Sequence, residues 1–286
     1  VPGDTSTALY VLFGRRSGQW PESGFLTTSD LTGTQGITIY AGSRYSVMFG
    51  RPRCVGDFNR DGYDDFLVGD RMAFSAQGKA WLINGRSQWT EPNIIDSMTD
   101  VTAFNSNETA MLGNAFGSLD LNLDNFTDIV ISATSAAFGA GQIHVIWGGK
   151  NTPLASPLAL PVSSLSVGMY FQSPAKEAWA DSIATGDVNG DQTIDLVFSF
   201  CGSDSGVSIT NKKVIVVFAE KQADYQLRQS VIANSISFTR MADSELFGYV
   251  VAVGDINSDG IGDVVVGAPY SRNNIGRIYI FFGSTN

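Results

Sequence analysis

A nine-residue pattern, D-x-N-x-D-x-x-x-D, occurs four times in this chain: DFNRDGYDD at 57–65, DLNLDNFTD at 120–128, DVNGDQTID at 187–195 and DINSDGIGD at 255–263. The first aspartates of successive copies are 63, 67 and 68 residues apart. Near-constant spacing of one motif marks a structural repeat, and a repeat narrows the choice of fold more than any local propensity does. Each copy follows a short apolar segment ending in a small residue (CVG, FGS, ATG, AVG) and precedes a β-rich run (FLVG, IVIS, LVFS, VVVG).

Two further elements keep the same phase. Runs of β-branched and aromatic residues at 8–14, 80–85, 143–149, 214–220 and 278–283 read as strands, and weaker strands follow at 37–40, 101–104, 167–171 and 236–239. No segment sustains a 3.6-residue apolar period, so little helix is expected. Each repeat is then a four-stranded antiparallel sheet. One such sheet cannot bury both its faces, whereas radial stacking of copies can, which is the logic of an all-β propeller. The apolar runs do not alternate cleanly, as expected of strands covered on both faces.

The expected division is a partial blade at 1–40, blades at 41–104, 105–171 and 172–240, and a partial blade at 241–286, within a single propeller domain or propeller segment. That predicts seventeen strands, one more than four complete blades hold. The terminal strands 8–14 and 278–283 are therefore expected to pair outside a closed four-blade ring, in a larger or strand-exchanged assembly, since an open sheet edge is a pairing template. The chain opens at Val1 without a charged-then-apolar leader, as expected of a mature or excised segment.

These repeats resemble FG-GAP repeats, the units of the integrin α-chain head propeller. The FG pair stands at Phe49-Gly50, Phe116-Gly117 and Phe247-Gly248, and GAP at Gly267-Ala268-Pro269. The third repeat departs from the pattern, with Trp179-Ala180 for FG and Ser199-Phe200-Cys201 for GAP. The first and second repeats carry Gly69-Asp70-Arg71 and Ser132-Ala133-Thr134 at the GAP place. The resemblance covers essentially the whole chain. It implies a propeller that usually has seven blades, with the acidic loop joining the first and second strands of a blade.

The acidic loops suit a hard divalent cation, which takes six to eight oxygen ligands. Positions 1, 3, 5 and 9 offer side-chain oxygens and position 7 a backbone carbonyl. The expected ligand sets are Asp57, Asn59, Asp61, Asp65 and the Tyr63 carbonyl; Asp120, Asn122, Asp124, Asp128 and the Phe126 carbonyl; Asp187, Asn189, Asp191, Asp195 and the Thr193 carbonyl; and Asp255, Asn257, Asp259, Asp263 and the Ile261 carbonyl. A flexible oxygen count favours Ca²⁺ over strictly octahedral Mg²⁺, so up to four Ca²⁺ are expected. An EF-hand is rejected. Its loop needs Glu at position 12 and flanking helices, and position 12 here is Val68, Ile131, Phe198 and Val266, inside predicted strands. Position 6 needs a backbone shape that Gly62 and Gly260 adopt cheaply; Asn125 tolerates it and Gln192 is the poorest, so the third loop is expected to bind most weakly.

The net charge of −10 agrees with this reading, because twelve of the 28 acidic residues sit at ligand positions and four Ca²⁺ would leave about −2. With only 18 basic residues and no basic run, a nucleic-acid partner is excluded. No apolar run approaches a membrane span. Moderate-affinity Ca²⁺ loops fill at extracellular calcium levels, so a secreted or cell-surface location is expected. Cys54 and Cys201 are too few for a disulfide framework and read as free, mostly buried thiols. The one histidine, His144, lies inside a strand and reads as packed; with no G-x-S-x-G elbow or phosphate loop present, no enzyme is expected. Sequons stand at Asn107 and Asn125, the second inside a metal loop.

Integrin-like propellers imply partners on the face opposite the acidic loops. The second-to-third-strand connections there are 70–79, 134–141, 202–212 and 270–276, with Phe74, Phe138 and Tyr270 as candidate contacts. The expected function is a non-enzymatic, calcium-stabilised adhesion or recognition module for protein or glycan. A structural subunit of an extracellular filament or coat, and a carbohydrate-binding lectin, are the alternatives.

Overall fold

Among the described residues, short runs that are mostly rich in Val, Ile and aromatic residues form twenty strands and almost no helix. The computed structural model describes residues 7–14, 16, 31, 33, 35–41, 49–89, 93–136, 141–149, 154–172, 179–201, 212–220, 228–229, 235–240, 246–271 and 275–285. In chain order the strands are β1 (Ala8–Leu12), β2 (Gly36–Tyr40), β3 (Gly50–Gly56), β4 (Asp65–Asp70), β5 (Lys79–Ile83), β6 (Asn93–Ile94), β7 (Val101–Ser106), β8 (Leu112–Leu119), β9 (Asp128–Ala133) and β10 (Gln142–Ile146). There follow β11 (Leu158–Leu160), β12 (Gly168–Gln172), β13 (Trp179–Gly186), β14 (Asp195–Cys201), β15 (Lys212–Val217), β16 (Arg228–Gln229), β17 (Ser235–Arg240), β18 (Val250–Gly254), β19 (Asp263–Ala268) and β20 (Arg277–Phe281).

They build five sheets. Three contain a full antiparallel meander, β3-β4-β5-β7, β8-β9-β10-β12 and β13-β14-β15-β17, and the first and last sheets hold β1-β2 and β18-β19-β20. Neighbouring sheets stack face to face. The first and second share a core of Ile37, Ile39, Val68, Trp81 and Ile83. The second and third bury Leu67, Leu82, Phe104, Phe116, Ile129 and Ile131 between them. The third and fourth enclose Val130, Val145, Trp147, Leu196 and Phe198, and the fourth and fifth Val197, Val214, Val216, Val251, Val264 and Val266. Burying each such side chain contributes about 1.5–3 kcal/mol, so the stack is held by inter-sheet burial that no isolated sheet has. The first strands β3, β8, β13 and β18 lie next to one another along one edge of the stack.

The FG phenylalanines plug into these cores. Phe49 meets Trp81 edge-on at 5.7 Å between ring centroids, and Phe247 meets Tyr279 at 5.3 Å. At the GAP place, Gly69 lies so close to Gly113 of the next sheet that a Cβ there would stand 2.1 Å from the Gly113 carbonyl oxygen.

Among the described residues the expected seventeen strands are joined by three more, β6, β11 and β16. Each lies in the connection between the third and fourth strands of one sheet and adds in parallel to the fourth strand of the preceding sheet: β6 to β2, β11 to β7 and β16 to β12. Runs of two or three residues are too short to carry a period, and their pairing is decided by the open edge of the neighbouring sheet. Leu160 of β11 is buried in the core between the second and third sheets, so this stitch is also a packing contact. Among the described residues β1 pairs only with β2 and β20 only with β19, and no closed ring forms.

Candidate metal loops

The four acidic loops join first to second strands, β3–β4, β8–β9, β13–β14 and β18–β19, so antiparallel pairing puts all four at the same end of the stack. Their internal wiring is the same. The first aspartate accepts the N–H groups of positions 5 and 6: Asp57 from Asp61 and Gly62 at 3.0 and 2.9 Å, Asp120 from Asp124 and Asn125 at 3.0 and 2.8 Å, Asp187 from Asp191 and Gln192 at 3.2 and 2.8 Å, and Asp255 from Asp259 and Gly260 at 3.1 and 2.9 Å. The asparagine at position 3 donates through Nδ2 to the position-5 carboxylate, as Asn59 to Asp61, Asn122 to Asp124, Asn189 to Asp191 and Asn257 to Asp259. That carboxylate in turn accepts the position-7 N–H of Tyr63, Phe126, Thr193 or Ile261.

The ninth aspartate has a second task that sequence reasoning missed. Its two oxygens accept one N–H from position 2 and one from the end of the third strand. Asp65 takes Phe58 and Gly85, Asp128 takes Leu121 and Gly148, Asp195 takes Val188 and Ala219, and Asp263 takes Ile256 and Gly283. All four are fully buried, so each clamps its loop to a strand beyond the hairpin. The small residue that recurs at the end of each third-strand run, Gly85, Gly148, Ala219 or Gly283, is the visible sign of this contact. Burial pushes the Asp128 carboxyl up to about 8 and that of Asp195 to about 6, and raises that of Asp65. The carboxylates at positions 1 and 5 add to the rise in Asp128 and Asp195, and the two N–H groups oppose it.

Position 6 takes a left-handed backbone in every loop, with φ of 93° at Gly62, 64° at Asn125, 70° at Gln192 and 87° at Gly260. Position 4 is left-handed as well, with φ of 59° at Arg60, 57° at Leu123, 74° at Gly190 and 62° at Ser258. The third loop therefore sets a glycine at position 4 against its glutamine at position 6, and only the second loop has glycine at neither. The argument that made the third loop weakest loses its force, because strain at Gln192 is offset two residues earlier.

The donor set of each loop is all oxygen, and this chemistry fits a hard cation. Among the described residues no three His, Cys, Asp or Glu side chains form a ready-made metal cage; the loop carboxylates are turned onto backbone N–H groups instead.

Adjacent loops touch. Arg60, at position 4 of the first loop, donates to the Asn125 carbonyl of the second, and its guanidinium lies 3.7 Å from the centroid of the Phe126 ring. Gly262 of the fourth loop donates to the Asp187 carbonyl of the third at 2.6 Å. Arg60→Ala is expected to lower stability by about 0.5–1 kcal/mol through the lost cation–π contact, and a matched loss in Arg60→Lys, read by urea denaturation, would show that the flat guanidinium and not its charge alone is needed. A cleft of about 250 Å³ opens beside the first loop, lined by Phe58, Asn59, Asp61, Leu82, Asn84, Thr102 and Leu154.

At the opposite end Phe74 and Tyr270 are exposed, while Phe138 lies outside the described residues. The 70–79 connection is not free-standing: Met111 and Leu112 of the next sheet donate to the Ala76 and Gln77 carbonyls at 3.0 and 3.2 Å. Asn107 and Asn125 are both exposed. Cys54 is a free thiol but exposed, correcting the expectation of burial, because β3 shows the outer side of residues 51–54 to solvent. His144 is buried beside Tyr170 and burial lowers it to about 3, which keeps it neutral.

A profile of the FG-GAP repeat family matches residues 247–281. The phosphatidylinositol-glycan-specific phospholipase D of Dictyostelium discoideum is 27% identical over 289 residues, covering 87% of this chain and 28% of that protein. Integrin alpha pat-2 of Caenorhabditis elegans is 31% identical over 222 residues, covering 73% of this chain and 16% of the relative. Integrin alpha-V of Gallus gallus is 27% identical over 254 residues, with 82% and 22% covered. The chain thus spans less than a third of the length of these relatives. Stacked antiparallel sheets, phenylalanines of the FG pairs in the inter-sheet cores and these matches together identify an FG-GAP repeat chain with an integrin-α-like fold.

Proposed function

We propose that this chain is a non-enzymatic, calcium-stabilised extracellular recognition module that binds a protein or glycan partner. The observation that carries the reading is the fourfold repetition of one all-oxygen loop at one end of the stack, in a chain similar to integrin α subunits. Bound calcium would supply positive charge at loops that gather three carboxylates each. Asp57, Asn59, Asp61, Asp65 and the Tyr63 carbonyl would hold it in the first loop, and the equivalent residues in the other three. The chain's own part is to fix the loop backbone: the ninth aspartate ties the loop to the third strand, and the left-handed residues at positions 4 and 6 turn the chain around the site.

The partner surface is proposed at the opposite end, where Phe74 and Tyr270 stand exposed on connections anchored by the sheets. Aromatic side chains at such positions bury large area at low entropic cost. The phospholipase D relatives are enzymes by name, but the shared stretch is 28% of the Dictyostelium protein, and the one histidine of this chain is buried and neutral. Isothermal titration of the metal-free chain with CaCl₂ should give up to four bound ions, and a glycan array and an extracellular-protein array probed with the calcium-loaded chain should give signals that Phe74→Ala/Tyr270→Ala abolishes. No calcium uptake, or binding indifferent to the double substitution, would overturn the corresponding half of the reading.

A further inference from the structure

The second sheet departs from the others at one place on its third strand. The clamps from the ninth aspartates align the third strands, because Gly85, Gly148, Ala219 and Gly283 all make the same contact. The residue before the clamped one is Trp147 in the third sheet, Phe218 in the fourth and Phe282 in the fifth, and Phe13 precedes Gly14 in the matching run of the first. In the second sheet it is Asn84. Strand pairing shows a second departure close by. Leu82 stands opposite Thr102, whereas Val145 and Val216, at the Leu82 place, stand opposite Met169 and Ile236.

The third sheet shows what the aromatic residue does. Trp147 is 1% exposed and shares one core with Leu121, Val145 and Met169. Its indole N–H donates to the Leu165 carbonyl at 2.8 Å. The residues at those three places in the second sheet are Phe58, at position 2 of the acidic loop as Leu121 is, with Leu82 and Thr102 on the strands. There the space stays open. These three side chains and Asn84 line the cleft of about 250 Å³ beside the first loop, and Leu154 walls it from the third sheet's connection. A carboxamide in place of an indole, and a threonine in place of a methionine, remove the volume that closes the matching core one sheet further on. Both sheets around the cleft hold a full four-strand meander.

We propose that this cleft takes the ring of a tryptophan or tyrosine side chain from a partner protein, in the place that Trp147 fills from within the chain one sheet further on. The occupant is an aromatic ring because the same surroundings, a position-2 apolar residue and the paired residues of the third and fourth strands, close around an indole in the third sheet. Phe58 and Leu82, both 1% exposed, give the ring an apolar floor. The oxygens of Asn84 and Thr102 offer acceptors to a ring N–H or O–H, as the Leu165 carbonyl does to Trp147. The volume lies below the roughly 300–1,000 Å³ of sites that enclose a whole drug-sized ligand, and suits one side chain. This site is at the acidic-loop end, so it is separate from the surface around Phe74 and Tyr270 and stands whether or not that surface binds anything.

Isothermal titration and saturation-transfer NMR of the full chain in calcium, with N-acetyltryptophanamide as the probe, should show one saturable site. N-acetylleucinamide should bind up to about tenfold more weakly, since it lacks the ring. Asn84→Trp supplies the aromatic residue from within, and should abolish probe binding while raising the melting temperature. Asn84→Phe, which copies the fourth sheet, should act in the same direction. Absence of saturable binding overturns the proposal, as does binding that survives in Asn84→Trp. A melting temperature lowered in both variants would show that the cleft is not shaped to a ring, and overturns it as well. Methyl α-glucoside binding as tightly as the indole probe would make the cleft a saccharide site and overturn the aromatic occupant.

Discussion

Chelation with EGTA is expected to lower the melting temperature of the chain by about 20 °C. A site that binds the folded state alone contributes about 2.7 kcal/mol when free calcium is a hundredfold above its dissociation constant, so four sites contribute roughly 11 kcal/mol. An unfolding entropy of about 2.1 cal/mol/K per residue converts that into the stated shift. The physical source is repulsion among the loop carboxylates, which in the second and third loops also helps to raise the ninth aspartate. Two unit charges at 4 Å repel by roughly 4 kcal/mol at an effective dielectric near 20, before screening and relaxation. In the fold described here the carboxylates at positions 1 and 5 are turned onto backbone N–H groups, which relieves part of that repulsion. Asp57→Ala, Asp120→Ala and Asp255→Ala should each remove about a quarter of the calcium-dependent shift. Asp187→Ala should do the same, because Gly190 takes the left-handed turn of the third loop without strain. An unchanged melting temperature, with metal analysis confirming that the ions had left, would show that the loops do not support the fold.

In the metal-free chain, stability should fall as pH rises from about 4 to about 8, the reverse of ordinary carboxylate behaviour. The carboxyl of Asp128 is raised from 3.8 to about 8 by burial. Between those values the folded state holds a proton there that the unfolded state has released, so raising the pH favours unfolding. One group titrating across that window contributes a slope approaching about 1.4 kcal/mol per pH unit. Asp195, at about 6, adds in the same direction over a narrower window, and Asp65, also raised by burial, adds in the same direction. Asp128→Asn mimics the protonated acid and should flatten the slope while keeping an oxygen for one of the two N–H groups of Leu121 and Gly148. Asp128→Ala leaves both donors without their partner and should cost about 2–6 kcal/mol at pH 5, at about 1–3 kcal/mol for each unsatisfied group. Excess calcium should flatten the wild-type slope by favouring the charged carboxylate. Urea denaturation at a series of pH values reads all three; a wild-type slope of opposite sign in EGTA would show that Asp128 is ionised in the folded chain.

The repeat, its phase and the strand class of each main segment were determined by the sequence alone. Four copies of an acidic nonapeptide between runs of β-branched residues leave few alternatives, because the loop chemistry and the strand propensity recur together at one period. That the four nonapeptides would form one recurring loop was legible for the same reason. Tertiary structure alone decided the rest. The stitches β6, β11 and β16 exist because a neighbouring sheet offers an open edge, and two or three residues carry no period of their own. The ninth aspartate became a buried clamp because the third strand returns past the loop, a contact about 20 residues distant along the chain. Cys54 is exposed although free cysteines are usually buried, because residues 51–54 of its strand face solvent. Most telling are Ile143 and Ile278, which the same kind of strand run places in the same register: one is buried and the other exposed, because burial depends on whether another sheet stands in front of the face, and the local sequence does not encode that.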